Sequence, residues 1–328
     1  MTVIEKIKEI FSDEKEFPVY NGKNWKPKPH AVIKDLSSRK ALADTGYILV
    51  DITNNSTIDK LEDIYSSLHH VKPTNGGMFY SLYSQDIDYR KYVHDGVGVA
   101  LRPLFDQLFT YYKTVINSYI IKHPGPKSEF NLHQDSTGLN EWKYSPLSFW
   151  MPLQDTTLEN GCMWFIPGSQ KWFSPYRGIS FDTMFDEQKD LLQPYLIPIE
   201  VKKGQALLFD NRIVHLSGEN KSNVPRVVVM SGIFPAEASI ISCYRDKQNN
   251  GPLEIFQQTD DYLLQGMNFY IDCTARPKTG EKIAEIYENK YTLSPEELSK
   301  IIRVSEAKRV NLYTNNVTAI KCNIIQEP

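Results

Sequence analysis

From Lys113 to Arg245 the chain alternates short apolar runs with turn-forming clusters. The runs fall at 115–122, 146–153, 162–166, 196–201, 205–209, 213–217, 226–234 and 238–244. Each is of strand length, and several are β-branched, as in Val227-Val228-Val229; both features favour the pleated conformation over the helical one. Eight short strands in succession predict a mainly β fold with flanking helices, a double-stranded β-helix or jelly-roll barrel that hides its own edges.

Outside that block the periodicity changes. Gly46–Ile52 reads as a strand. Ser56 opens a helix in which Ile58, Leu61, Ile64, Tyr65 and Leu68 fall at helical spacing, and a second helix is predicted from Val99 to about Tyr111, with Leu101, Leu104, Phe105 and Leu108 toward a sheet. Met1–Phe11 has the pattern of a short amphipathic helix, with Val3, Ile7, Ile10 and Phe11 on one side. Trp25-Lys26-Pro27-Lys28-Pro29 reads as a stiff, polar connector.

Residues 172–194 carry Phe181, Met184 and Phe185 among acidic residues and lack a strand signature. They form either a lid over the barrel or a covering surface helix. After the turn at Gln248–Pro252, the segment Ser294-Pro295-Glu296-Glu297 has the signature of a helix start. The organisation expected is a single domain over 1–328: an N-terminal extension with supporting helices to 112, a jelly-roll core at 113–245 and a C-terminal extension at 246–328. That extension would pack on the core or form a subunit contact, hence a homodimer.

Composition narrows the function classes. The chain has 328 residues, 41 % hydrophobic and 23 % charged, and a formal net charge of −3 from 37 basic and 40 acidic residues. No strong field for nucleic acid or an anionic membrane is expected. No apolar run approaches the ~20 residues of a spanning helix, and the charged N-terminus lacks a secretory signal's apolar stretch. Cys162, Cys243, Cys273 and Cys322 are far apart without a C-x-x-C pair, which indicates neither a zinc site nor a disulfide framework and suits a reducing, cytoplasmic setting.

The candidate chemistry centres on Asn131-Leu132-His133-Gln134-Asp135. On a strand, side chains at i and i+2 share a face, so His133 and Asp135 can share one metal. His215, in a predicted strand 82 residues after His133, supplies a second imidazole. Two histidines and one carboxylate hold a non-haem Fe(II) on one face and leave the opposite positions open. Arg226 enters an apolar strand eleven residues after His215. It either projects to solvent at a sheet edge or is buried against an anion, for which a dicarboxylate such as 2-oxoglutarate is suited.

His133-Gln134-Asp135, the run Leu153–Lys171, His215-Leu216-Ser217 and Arg226 occur in an order that resembles the phytanoyl-CoA dioxygenase family of Fe(II)/2-oxoglutarate oxygenases. The resemblance runs from about Asp44 to about Arg245. It implies that His133, Asp135 and His215 are the iron ligands and that Arg226 binds the distal carboxylate of 2-oxoglutarate. It further implies that Ser217 assists that carboxylate and that Trp150 lines the cosubstrate pocket. Ser217 reads equally as a plain strand-end serine, and Trp150 as a core aromatic.

The implied reaction uses O2 to hydroxylate an unactivated C–H bond of a small-molecule substrate, with succinate and CO2 as coproducts. Halogenating relatives replace the carboxylate ligand with a small residue, so Asp135 disfavours chlorination. Two alternatives stand. The same iron site could drive desaturation, epimerisation or cyclisation, or the chain could be a cupin-like metal enzyme that does not use 2-oxoglutarate and has no need of Arg226.

Overall fold

The structure is a computed structural model that describes residues 16–52, 55–68, 77–181, 185–246, 248–265, 275–287, 293–309 and 320–322. In chain order the strands are β1 (Tyr47–Ile52), β2 (Met78–Tyr80), β3 (Tyr112–Lys122), β4 (Phe130–His133), β5 (Leu147–Pro152), β6 (Met163–Phe165) and β7 (Ile197–Ile199). They continue with β8 (Gln205–Asp210), β9 (His215–Ser217), β10 (Arg226–Pro235), β11 (Ile240–Arg245), β12 (Leu253–Gln258), β13 (Glu281–Ile286) and β14 (Ile320–Cys322). The longer helices are α1 (Leu36–Thr45), α2 (Asn55–Ser66), α3 (Ile87–Leu108), α4 (Phe185–Leu192) and α5 (Pro295–Arg309).

Eight of the strands form the barrel. In the seven-stranded sheet, ordered β14-β1-β8-β5-β10-β3-β2, the central four face the four-stranded sheet β4-β9-β6-β7. From β3 to β10 the chain alternates between the two sheets except at the β6–β7 hairpin, which lies within the small sheet, as in a double-stranded β-helix. The eighth barrel strand differs from the sequence expectation. Residues 240–245 instead begin a separate sheet, β11-β12-β13, and the place is taken by β4. Only Leu132 of β4 is buried while Phe130 and Asn131 are exposed, so the strand offers almost no hydrophobic pattern to read.

The large sheet is covered on both faces, which explains why β5 is buried at all six positions. Within each strand alternate residues part to opposite faces. Tyr119, Ile121, Phe149, Met151, Val227 and Val229 pack outward with Val97, Leu101 and Phe105 of α3, whereas Ile120, Trp150, Leu207, Phe209 and Val228 face the barrel interior. Helix α3 is nearly twice the predicted length: it starts at Ile87, capped by Asp86, whose carboxylate accepts the Asp88 and Tyr89 amides at 2.9 and 3.0 Å. Gly96 and Gly98 suggest a break in sequence but serve close packing: a β-carbon at Gly98 would lie 3.0 Å from Asn117 Nδ2 on β3.

The flanking segments are docked on this core. Trp25, in the predicted connector, is buried and donates to the Glu141 carbonyl at 3.2 Å. Ser294 and Glu297 form the reciprocal capping box foreseen for α5, at 2.9 and 3.2 Å, and Leu298 and Ile302 pack with Phe185, Leu192 and Val214. The segment 172–194 contains α4, whose Phe185 is buried against Phe173; Met184 lies outside the described residues. The expected helix at 1–11 also lies outside them. Among the described residues no helix is long and apolar enough to cross a membrane, and Cys162 and Cys243 are buried free thiols.

Candidate metal and dicarboxylate site

His133 and His215 stand directly opposite each other in the β4–β9 ladder, and cross-strand partners share a face. Asp135 lies just past the end of β4 rather than on it. Its backbone amide is held by the Asn211 carbonyl at 3.0 Å, and its carbonyl accepts Arg177 Nε at 2.8 Å. One ligand atom from each of the three residues lies within 4.8 Å of the others; Asp135 Oδ1 is 3.7 Å from His133 Nε2 and 3.9 Å from His215 Nε2.

The tautomers suit metal binding. His133 Nδ1 is 2.8 Å from the Asn131 carbonyl and His215 Nδ1 is 2.8 Å from the Ile213 carbonyl. A carbonyl can only accept, so each Nδ1 carries the proton and each Nε2 turns a lone pair toward the shared centre. Burial and the neighbouring His133 push the His215 pKa down to about 4, which keeps that ring neutral near pH 7. Phe130 meets the His133 ring edge-on at 4.5 Å, and Phe165 and Phe209 flank His215.

The three residues open onto a cavity of about 700 Å³ between the two sheets, and Arg226, Ser217 and Trp150 also line it. Arg226 is not at a solvent edge: it is 1 % exposed. Its Nη1 donates to the Gly161 carbonyl, its guanidinium lies over the Trp150 ring at 5.3 Å, and its Nε has no partner. No carboxylate pairs with it among the described residues, and burial lowers its pKa to about 10. A buried cation with an orphaned donor on a cavity wall fits an anionic ligand. Ser118, also buried on that wall, has an unpartnered hydroxyl.

Sequence reasoning missed Lys122. It is fully buried and pairs in register with Arg226 across the β3–β10 ladder, and its ammonium donates to Ser217 Oγ at 2.8 Å and to the Gly218 carbonyl. Burial, then Arg226, push its pKa down to about 6. A strand-end lysine ordinarily reads as solvent-facing, and its partner is 95 residues away. His30 and Arg212 were likewise invisible as site supports. Both bind the buried Asp210 carboxylate, His30 Nε2 at 2.8 Å and Arg212 Nε at 2.7 Å. This fixes the turn from which Asn211 holds Asp135.

Residues 99–228 match the family model for phytanoyl-CoA dioxygenase. Over that segment the chain is similar to the phytanoyl-CoA dioxygenase family. It is similar to phytanoyl-CoA dioxygenase 1 of Oryza sativa subsp. japonica, 34 % identical over 52 % of this chain and 59 % of the rice protein. It is also similar to a phytanoyl-CoA dioxygenase domain-containing protein of Danio rerio, 33 % identical over 38 % of this chain and 45 % of that one. The chain thus spans about half the length of the curated relatives it matches. Among solved structures it is similar to EctD from S. alaskensis, with a TM-score of 0.46 and 17 % identity over 68 % of this chain and 90 % of that one.

Proposed function

We propose that the protein is a non-haem Fe(II)- and 2-oxoglutarate-dependent oxygenase that uses O2 to hydroxylate an unactivated C–H bond of a small molecule, releasing succinate and CO2. One observation carries the reading: the His133, Asp135 and His215 donors converge on the wall of the same cavity that buries Arg226, for which there is no counter-ion among the described residues. The family-model match over residues 99–228 supports it.

His133 Nε2, His215 Nε2 and an Asp135 oxygen would hold the metal, and the carbonyls of Asn131 and Ile213 keep both rings in the required tautomer. Bound there, ferrous iron would supply open positions for chelation by the 2-oxo acid end of the cosubstrate and for O2 activation. Arg226 would clamp the distal carboxylate with its free Nε and neighbouring N–H groups, and Trp150 shields that guanidinium from water. Ser217 accepts from Lys122, so its own hydroxyl hydrogen is free to be donated to the same carboxylate. The protein's contribution is placement, because the oxidising power resides in the metal and cosubstrate.

Anaerobic addition of 2-oxoglutarate to the Fe(II)-loaded protein should produce a visible charge-transfer band that His133→Ala and Asp135→Ala lose. A wild-type protein that binds Fe(II) but gives no band with 2-oxoglutarate is a cupin-like metal enzyme, contrary to this proposal. Desaturation, epimerisation and cyclisation share the initial hydrogen abstraction. The product mass separates them: a gain of one oxygen marks hydroxylation, a loss of two hydrogens desaturation or ring closure.

A further inference from the structure

Of the three proposed metal donors, Asp135 is the one that no strand fixes. His133 and His215 face each other in the β4–β9 ladder, whereas β4 ends at His133. The Asp135 backbone is pinned from two loops instead: its amide donates to the Asn211 carbonyl at 3.0 Å, and its carbonyl accepts Arg177 Nε at 2.8 Å. A residue has two soft backbone dihedrals, so holding the peptide plane on each side sets both, and with them the direction of the Cα–Cβ bond that aims the carboxylate.

Arg177 is itself held on several sides. Its terminal nitrogens donate to the two oxygens of the buried Glu141 carboxylate, Nη1 at 2.9 Å and Nη2 at 2.6 Å, and Nη1 also donates to the Ser174 carbonyl at 3.0 Å. A guanidinium is planar, so this two-point grip fixes where the Nε–H points. The backbone closes the same joint: the Arg177 amide donates to Thr137 Oγ1 at 2.9 Å, and the Thr137 amide donates to the Arg177 carbonyl at 3.1 Å. The loop that follows is seated on β11, where a β-carbon at Gly178 would lie 2.5 Å from the Cys243 carbonyl and the Arg245 amide donates to Ser180 Oγ at 3.1 Å. The sheet β11-β12-β13 thus backs the loop that carries Arg177. A buried ion pair is weak evidence for stability, because desolvating both charges offsets most of their attraction; its place beside a proposed metal ligand calls for another account.

We propose that Arg177, aimed by Glu141, is a positioning residue that sets the Asp135 carboxylate toward the two imidazoles. The inference rests on the metal reading above and deepens it. Asp135 is then steadied from both sides by a buried arginine–carboxylate pair, Arg177 with Glu141 at its carbonyl and Arg212 with Asp210 behind Asn211 at its amide.

The test titrates the full chain anaerobically with Co(II), whose visible d–d absorption reports the number and arrangement of its ligands. Arg177→Met combined with Glu141→Leu removes both charges together, so neither is left buried without its partner. Arg177→Lys keeps a cation for Glu141 but replaces the planar fork with one ammonium, which cannot grip Glu141 at two points and hold the Asp135 carbonyl as well. Each variant should bind Co(II) about 10- to 100-fold more weakly than wild type, and at saturation its spectrum should move from that of wild type toward that of Asp135→Ala. Either variant decides by itself, so the second serves if the first does not fold. A pair that merely joins two loops would lower the urea midpoint and leave the saturated spectrum as in wild type, and that spectrum overturns the inference whatever the affinity. A wild-type protein that takes up no Co(II), or that shares its saturated spectrum with Asp135→Ala, would instead overturn the metal reading, and the inference with it.

Discussion

Arg226 and Lys122 face each other across the β3–β10 ladder with both head groups buried, an arrangement that like charges disfavour until an anion arrives. Arg226→Met removes the buried cation proposed to hold the cosubstrate carboxylate. It should weaken 2-oxoglutarate by about 2–5 kcal/mol, roughly 1.5 to 3.5 orders of magnitude in KM, with a much smaller effect on Fe(II) affinity. Lys122 has a subtler signature. Burial and then Arg226 lower its pKa from 10.5 to about 6, against a smaller upward pull from Glu129 and Cys162. Between those two values the unfolded chain binds more protons than the folded one, so this residue's penalty is greatest at low pH and fades as pH rises toward 10.5. Without cosubstrate, Lys122→Met should therefore stabilise the protein against urea. The gain should be larger at pH 6.5 than at pH 9, by up to about 1.4 kcal/mol per pH unit. A gain that does not change with pH would show that Lys122 is already charged in the free protein. With 2-oxoglutarate the sign reverses, because the same variant loses the donor behind Ser217 and should raise KM for the diacid.

At the scale of elements, the turn before β6 ties the two sheets to the anchor. Gly161 has φ of +79°, and a β-carbon there would run into the Gly218 carbonyl and lie 3.1 Å from that of Glu219; its own carbonyl is the acceptor for Arg226. Gly161→Ala combines a left-handed backbone cost of roughly 1–2 kcal/mol with this collision. It should lower unfolding stability by at least about 2 kcal/mol and weaken 2-oxoglutarate, both measurable by denaturant titration with and without the diacid. An alanine variant of unchanged stability would mean that the turn relaxes freely and leaves Arg226 in place.

What could be read from the sequence at this scale followed burial on one or two faces. The runs that became β3, β5, β8 and β10 are apolar enough to announce themselves. The strand β4, with a single buried residue, is not, and β11 is apolar enough to look like a barrel strand although its partners are β12 and β13. Pairing is a long-range property that local patterning does not encode. The same holds at the site. His133, Asp135, His215, Arg226, Ser217 and Trp150 were all singled out by motif, and the fold brings all six to one cavity. The Lys122–Ser217 and His30–Asp210 contacts join residues 95 and 180 positions apart and carry no local signal.

For the whole molecule, the site is a bridge. The proposed metal donors hang from the small sheet and the loop after β4, while Arg226 and Lys122 belong to the large one, so a ligand that spans metal and anchor would tie the two halves of the barrel together. Ligands that bind the native state alone stabilise it by RT ln(1 + [L]/Kd), about 2.7 kcal/mol at a hundredfold excess over Kd. In a chain of this size that corresponds to a Tm rise of roughly 5 °C. Anaerobic Fe(II) with 2-oxoglutarate should reach this range. Glutarate has the distal carboxylate but lacks the 2-oxo group, so it can use the Arg226 end yet cannot chelate, and should give a smaller shift. His133→Ala should reduce the 2-oxoglutarate shift to the glutarate level, and Arg226→Met should abolish the glutarate shift altogether. Equal shifts from the two diacids in wild type would mean that the metal end contributes nothing to cosubstrate binding, and the bridge would have to be abandoned.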